Sequence, residues 1–157
     1  MTLSIGQPLP NFAAPATSDK QFELNQYQGQ WLVLYFYPKD STPGCTTEGH
    51  DFNGLLDQFA KHNCTVFGIS RDSIKKHESF KSKQGYEFEL ISDGDESLCG
   101  IFDVIKLKKL YGKEYLGIDR STFVIDPTGN LSQQWRGVKV PDHAQAVLDY
   151  VIAQQAS

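Results

Sequence analysis

The stretch that decides the fold is Trp31-Leu-Val-Leu-Tyr-Phe-Tyr37, which runs directly into Pro38-Lys-Asp-Ser-Thr42-Pro-Gly-Cys45-Thr-Thr-Glu48. Its first seven residues are apolar, aromatic or β-branched at every position. Both faces of the strand they predict are therefore buried, as in a sheet covered by helices on either side. Phe52, Leu55, Leu56 and Phe59 then recur at helical spacing and predict an amphipathic helix from about Pro43 to Lys61. Thr42 stands at its N-cap, and Pro43 in the first helical position gives up only an N–H that would have no partner there.

Working outward, Thr65 to Ser70 reads as a second buried strand and Ser73 to Gln84 as a charged surface helix stopped by Gly85, which completes a βαβ unit. Glu87 to Ile91 predicts a short strand, Glu96 to Phe102 a short helix and Ser121 to Asp126 a strong strand. The turn Asp126-Pro-Thr-Gly-Asn130 leads into Leu131 to Arg136, a hairpin signal. Ala144, Val147, Leu148 and Val151 mark a last helix beginning at Pro141-Asp142. That order predicts an α/β fold with a mixed central sheet covered on both faces. With 157 residues and no linker or repeat, residues 1–157 are expected to form a single domain.

Fifteen Lys and Arg against nineteen Asp and Glu give a formal charge of -4, which argues against nucleic acid as a partner. No run approaches the roughly 20 apolar residues of a membrane span. The N-terminal residues carry neither a basic nor an apolar leader pattern. The three cysteines, Cys45, Cys64 and Cys99, form no Cys-x-x-Cys pair. A cytoplasmic, reducing location is the expectation.

Cys45 is the cysteine that these elements put in the first turn of a helix beyond a central strand. Unpaired N–H groups and the helix dipole favour an anion there, so appreciable thiolate is expected at neutral pH, and the thiolate is the nucleophile. Cys64, just before the second strand, is expected to be structural; Cys99, beneath a short helix, is the reserve thiol. His50, His62, His77 and His143 make no metal-ligand spacing, so no metal site is expected. Lys106-Leu-Lys-Lys109 reads as a solvated basic run. The loop Ser41 to Thr46 also admits a flavin- or phosphate-binding reading, since Gly-containing turns at helix starts bind phosphate.

The run from Pro38 through Thr42 to Cys45 resembles the peroxiredoxin signature of Pro, three residues, Thr, two residues, Cys. The likeness extends through Gly68-Ile-Ser-Arg-Asp72, Leu90-Ile-Ser-Asp93 and Arg120-Ser-Thr-Phe-Val-Ile-Asp126, and is greatest to the bacterioferritin comigratory protein branch, also called PrxQ. The resemblance implies a thioredoxin-like fold and reduction of hydrogen peroxide and organic hydroperoxides without metal, flavin or heme. It implies that Cys45 is the peroxidatic cysteine, that Thr42 and Arg120 bind the peroxide and hold the thiolate, and that Pro38 shields the thiol. Glu48 matches the Cys-Thr-x-Glu extension of the branch and orients arginine groups; Pro43 and Gly44 support the loop. Many members carry a resolving cysteine where this chain has His50, others where it has Lys81. A one-cysteine mode with an external thiol, thioredoxin or glutathione with glutaredoxin, follows from that gap, with Cys99, or else Cys64, as the alternative resolving thiol if local unfolding brings it within disulfide reach. The branch is often monomeric, which gives a monomer as the expectation.

Overall fold

The computed structural model describes residues 3–156. In chain order its elements are β1 (Ala13–Ala16), β2 (Lys20–Glu23), one 3-10 turn (Leu24–Tyr27), β3 (Trp31–Phe36), α1 (Pro43–Gly54), α2 (Leu56–Lys61) and β4 (Cys64–Ser70). There follow α3 (Ile74–Gln84), β5 (Glu89–Ser92), α4 (Ser97–Phe102), β6 (Ile105–Leu110), β7 (Lys113–Ile118), β8 (Ser121–Ile125), β9 (Leu131–Trp135) and α5 (His143–Gln155). Seven strands make one sheet in the order β2-β1-β5-β4-β3-β8-β9, while β6 and β7 pair only with each other. β3, β4 and β5 run parallel; β8 lies antiparallel to β3, and β1 antiparallel to β5. The sheet is mixed, as the sequence predicts.

Because successive residues of a strand face opposite sides, β3 divides the core. Leu32, Leu34 and Phe36 pack with Phe102, Phe123 and Cys99 on one face. Val33 and Tyr35, with Tyr37 beyond them, pack with Cys45, Phe52, Val147 and Leu148 on the other. Tyr35 stacks on Phe52 at 4.6 Å and lies over Gly68, where a Cβ would stand 2.9 Å from its ring. That contact seats α1 on β3 and β4.

Several boundaries differ from the expectation. The helix predicted from Pro43 to Lys61 is interrupted at Leu55, whose φ of -105° and ψ of 3° end α1 before α2 restarts. The break turns Phe59 into the same core face as Phe52. Cys64 is the first residue of β4 rather than a residue preceding it. The N-terminal hairpin β1–β2 is not legible in Ala13-Ala-Pro-Ala16, since Ala and Pro disfavour strands. It survives because β1 pairs with β5 only through Ala16↔Ile91, so Pro15 owes no hydrogen bond on that side. The run Lys106 to Lys109 keeps Lys106 and Lys109 exposed, as the sequence predicts, but it is also part of β6, half of a second hairpin that the sequence reading does not anticipate.

Candidate active site

The loop between β3 and α1 is held from below by a buried polar network. The Tyr37 hydroxyl donates to Asp40 Oδ1 at 2.6 Å, His77 Nδ1 meets Asp40 Oδ2 at 2.6 Å, and the Asp40 N–H donates to Asp72 Oδ2 at 2.9 Å. His77 Nε2 lies 2.9 Å from the Ile91 carbonyl. A carbonyl only accepts, so Nε2 carries a proton, and one further proton is shared across the Asp40–His77 contact. This network ties residues 37–40 to α3 and β5. No spacing signal announces it, because Asp40 and His77 are brought together from separate elements. Asp40, Asp72 and His77 offer ligand atoms within 4.8 Å of one another, yet in the structure these groups are committed to the hydrogen bonds just described.

Above this anchor, Thr42 is the N-cap residue with extended backbone (φ -92°, ψ 153°), but its side chain makes no capping hydrogen bond. The hydroxyl donates instead to the Lys39 carbonyl at 2.8 Å. The expectation that Thr42 caps the helix is therefore corrected: it occupies the position while its side chain closes the loop. The hydroxyl oxygen keeps its lone pairs for another donor. Pro43 takes the first helical position, as predicted.

Cys45 is 2% exposed. Arg120, at the entry to β8, reaches across the sheet end: Nη2 donates to Cys45 Sγ at 3.4 Å and Nη1 to Glu48 Oε1 at 2.5 Å. Gly44 permits that approach, since a Cβ there would lie 3.3 Å from Nη2. Glu48 sits one turn after Cys45, its side chain buried and its Oε2 without a hydrogen-bond partner. Burial pushes its carboxyl up to about 7, against the pull of Arg120. Gly49 is required as well: a Cβ would meet the Tyr86 ring at 2.3 Å, and the Tyr86 hydroxyl donates to the Thr46 carbonyl at 2.8 Å. The sequence gives no sign of this Tyr86 clamp. Pro38 is half-buried ahead of the loop.

The remaining thiols lie elsewhere. Cys64 is pushed up to about 12 by burial, in keeping with a structural cysteine. Cys99 is fully buried on the opposite face of the sheet from Cys45, and burial, followed by its contact with Asp93, pushes its thiol well above the ordinary range. It is also the third residue of α4, so Cys45 is not the only cysteine at a helix start. His50 is exposed, with Nε2 2.8 Å from Gln84 Oε1, and Lys81 pairs with Glu89 at 3.5 Å. All three cysteines are free.

A buried thiol in the first turn of a helix, beside a guanidinium and at the ends of the central strands, belongs to the class of cysteine redox sites built on thioredoxin-like sheets. The comparisons with known proteins agree. The AhpC/TSA family profile matches residues 5–134. The chain is 60% identical over 128 residues to Peroxiredoxin Bcp of Xanthomonas campestris, covering 82% of this chain and 80% of that one. It is 47% identical over 148 residues to Peroxiredoxin Bcp of Bacillus subtilis, covering 94% of each. A cysteine-to-serine mutant of Xylella fastidiosa PrxQ superposes with a TM-score of 0.94 at 49% identity, covering 99% of both chains. The bacterioferritin comigratory protein of Xanthomonas campestris, described through its alkyl peroxide reduction activity, gives 0.87 at 54% identity over 91% of each chain. The chain thus belongs to the AhpC/TSA family and is a thiol-dependent peroxidase of its Bcp/PrxQ peroxiredoxin branch.

Proposed function

We propose that Cys45 is the peroxidatic nucleophile, acting on hydrogen peroxide and organic hydroperoxides. The observation that carries this is the bridge made by Arg120, with one guanidinium nitrogen on Cys45 Sγ and the other on Glu48. The thiolate attacks the terminal peroxide oxygen; the O–O bond breaks, sulfur is oxidised to sulfenic acid, and the alkoxide or hydroxide leaves and takes up a proton to become alcohol or water. Arg120 stabilises both the thiolate and the charge developing on the peroxide oxygens. The free lone pairs of Thr42 accept the hydroperoxide O–H, while Pro38, Pro43 and Gly44 shape the approach. Glu48 holds the guanidinium in place.

An external thiol then reduces the sulfenic acid, with thioredoxin or glutathione with glutaredoxin as the candidates, in a chain that works as a monomer and a single domain in the cytoplasm. His50 and Lys81 at the two positions discussed above, and Cys99 beyond the sheet, support the one-cysteine mode. Intact mass spectrometry after one equivalent of peroxide, with and without a sulfenic-acid trap, tests it. A trapped adduct on Cys45 is expected; an internal disulfide at the same stoichiometry overturns the one-cysteine mode, and an unmodified Cys45 overturns the nucleophile.

As regards membranes, no helix among the described residues is long and apolar enough to cross one.

A further inference from the structure

The hairpin β6–β7 carries groups that neither the core nor the thiol site uses. Among the described residues, five of the six large exposed hydrophobics lie on it: Leu107, Leu110, Tyr111, Tyr115 and Leu116. At its tip Tyr111 (φ 51°) and Gly112 (φ 78°) form a two-residue connection with both φ positive, a conformation that favours Asn-Gly or Gly-Gly. A tyrosine in the first position is strained. Its ring is 96% exposed, so no packing offsets that strain. Folding alone does not account for Tyr111.

The same hairpin is basic. Lys106, Lys108, Lys109 and Lys113 stand against the single carboxylate Glu114, in a chain whose formal charge is -4. It also leads into the thiol site. β7 continues through Asp119 into Arg120, and the register places Lys108 opposite Tyr115 and Leu110 opposite Lys113 on one face. Lys108 is half-buried on that face, its stem lying across Gly117, where a Cβ would stand 3.2 Å from its Cδ, and burial, outweighing the nearby Asp119 charge, lowers its ammonium. On the opposite face Ile105 and Ile118 pack into the core on the Cys99 side, so the face bearing Lys108, Leu110, Lys113 and Tyr115 is turned away from that core, and β7 leads from it to Arg120, whose guanidinium meets Cys45.

We propose that this face of the β6–β7 hairpin docks an acidic protein dithiol that reduces oxidised Cys45. The inference rests on the Cys45 sulfenic acid proposed above. Apolar and aromatic side chains ringed by lysines match a partner whose thiol sits in an apolar patch edged by carboxylates. A second copy of this chain fits poorly, since like faces would set lysines against lysines. An anionic membrane fits poorly too: Leu107 and Leu116 share one face and Leu110 and Tyr115 the other, and the charge outside the hairpin is acidic. In the reaction, one partner thiol attacks the Cys45 sulfenic sulfur and expels water, leaving a mixed disulfide. The partner's second thiol attacks its own sulfur in that bond and releases the Cys45 thiol. The dithiol gives up two electrons and ends as a disulfide.

The test compares peroxide turnover driven by a bacterial thioredoxin with its reductase against turnover driven by dithiothreitol, for wild type, Tyr111→Asn, Lys113→Glu and Leu110→Ser. The variants are expected to raise KM for thioredoxin about ten-fold, the effect of losing one sizeable interface contact. Dithiothreitol turnover and the rate of Cys45 oxidation should stay within about two-fold of wild type. Thioredoxin KM should rise with ionic strength in wild type and less so in Lys113→Glu. Tyr111→Asn relieves backbone strain, so an unchanged or raised Tm shows that its effect is not unfolding.

Equal losses with both reductants overturn the proposal, as do thioredoxin kinetics indifferent to all three variants. Wild-type binding to phosphatidylglycerol vesicles, or a concentration-dependent dimer, overturns it if Tyr111→Asn abolishes either while thioredoxin KM is unmoved. A wild type that turns over with dithiothreitol but not with thioredoxin overturns the docking alone. Absence of a trappable Cys45 sulfenic acid overturns the underlying reading and the docking with it.

Discussion

Cys45 and Cys99 occupy the same local position, the third residue of a helix that follows a strand and a loop, and both are buried. They differ in what meets the helix N-terminus. At α4 the Asp93 carboxylate accepts from the Leu98 N–H at 3.0 Å and the Cys99 N–H at 2.8 Å. The amides are satisfied by a carboxylate, and that negative neighbour adds to the burial that holds the Cys99 thiol protonated. At α1 no side chain caps the helix, because the Thr42 hydroxyl turns to Lys39. The neighbour of Cys45 is a cation, Arg120. A helix start is thus not what distinguishes the two thiols; the charge beside each has the opposite sign.

The largest effect separates the two directly. Cys45→Ser is expected to abolish peroxide consumption, whereas Cys99→Ser and Cys64→Ser retain most of it. Substantial activity in Cys45→Ser would remove the distinction. Next comes the cation: Arg120→Ala should slow oxidation of Cys45 by about 10²-fold or more, the scale for losing one transition-state donor, measured by stopped-flow with hydrogen peroxide. Wild-type rates in that variant would mean that the contact to sulfur is incidental. Gly44→Ala probes the same contact more gently. Its Cβ, 3.3 Å from Nη2, displaces the flexible end of Arg120 by a few tenths of an ångström, and a rate loss of roughly three-fold is expected, well short of the full donor loss.

The contrast between the two helices shows what the sequence makes legible. β3, β4, β8, the loop to Cys45 and α5 are readable because their signals are local: a doubly buried apolar run, Pro43 in the first turn, a 3.6-residue period. Arg120, Thr42 and Glu48 are reached through the family signature, and the geometry brings Arg120 and Glu48 together at Cys45 while Thr42 closes the preceding loop. What stays hidden depends on side chains far apart in sequence. Asp93 at the start of α4, His77 under Asp40 and Tyr86 over Gly49 leave no pattern within a window. Ala13-Ala-Pro-Ala16 and Lys106-Leu-Lys-Lys109 become strands through tertiary pairing, against or without local preference.

Each helix also keeps a carboxylate, which gives a smaller effect. Asp93 contacts amides, whereas Glu48 is buried against Arg120 and raised to about 7 from 4.5. Between those values the folded state holds a proton that the unfolded chain has lost, so the Glu48 contribution to stability falls as pH rises from about 4.5 to 7 and then levels off. The change is on the order of 3 kcal/mol. His143, lowered to about 4 chiefly by burial, works oppositely: its contribution is lost as pH falls from about 6.5 to 4. Urea unfolding of wild type and Glu48→Gln across this range cancels the His143 part. Wild-type stability minus that of the variant should fall with pH; a difference that rises would mean that the Arg120 pairing outweighs burial.

The smallest expected effect is none. If Cys99 lies outside the chemistry, Cys99→Ser leaves the decay rate of the Cys45 sulfenic acid unchanged, as followed by trapping at timed intervals. The alternation along β3 motivates this, because Leu34 and Phe36 belong to the Cys99 side and Val33 and Tyr35 to the Cys45 side. A disulfide needs Cα atoms within roughly 7 Å. Joining these two sulfurs therefore requires α1 or α4 to leave the sheet, at the cost of a subglobal opening. The sulfenic acid should accordingly persist after one turnover and pass to sulfinic acid in excess peroxide. Rapid, stoichiometric loss of two thiols with a Cys45–Cys99 bridge in the peptide map would show that such an opening occurs within the catalytic cycle. His50→Cys sharpens the outcome, since it places a thiol on α1 itself. Disulfide formation there, and none with Cys99, would assign the barrier to the intervening sheet; failure of both would assign it to the stability of α1, pinned by Tyr86 over Gly49.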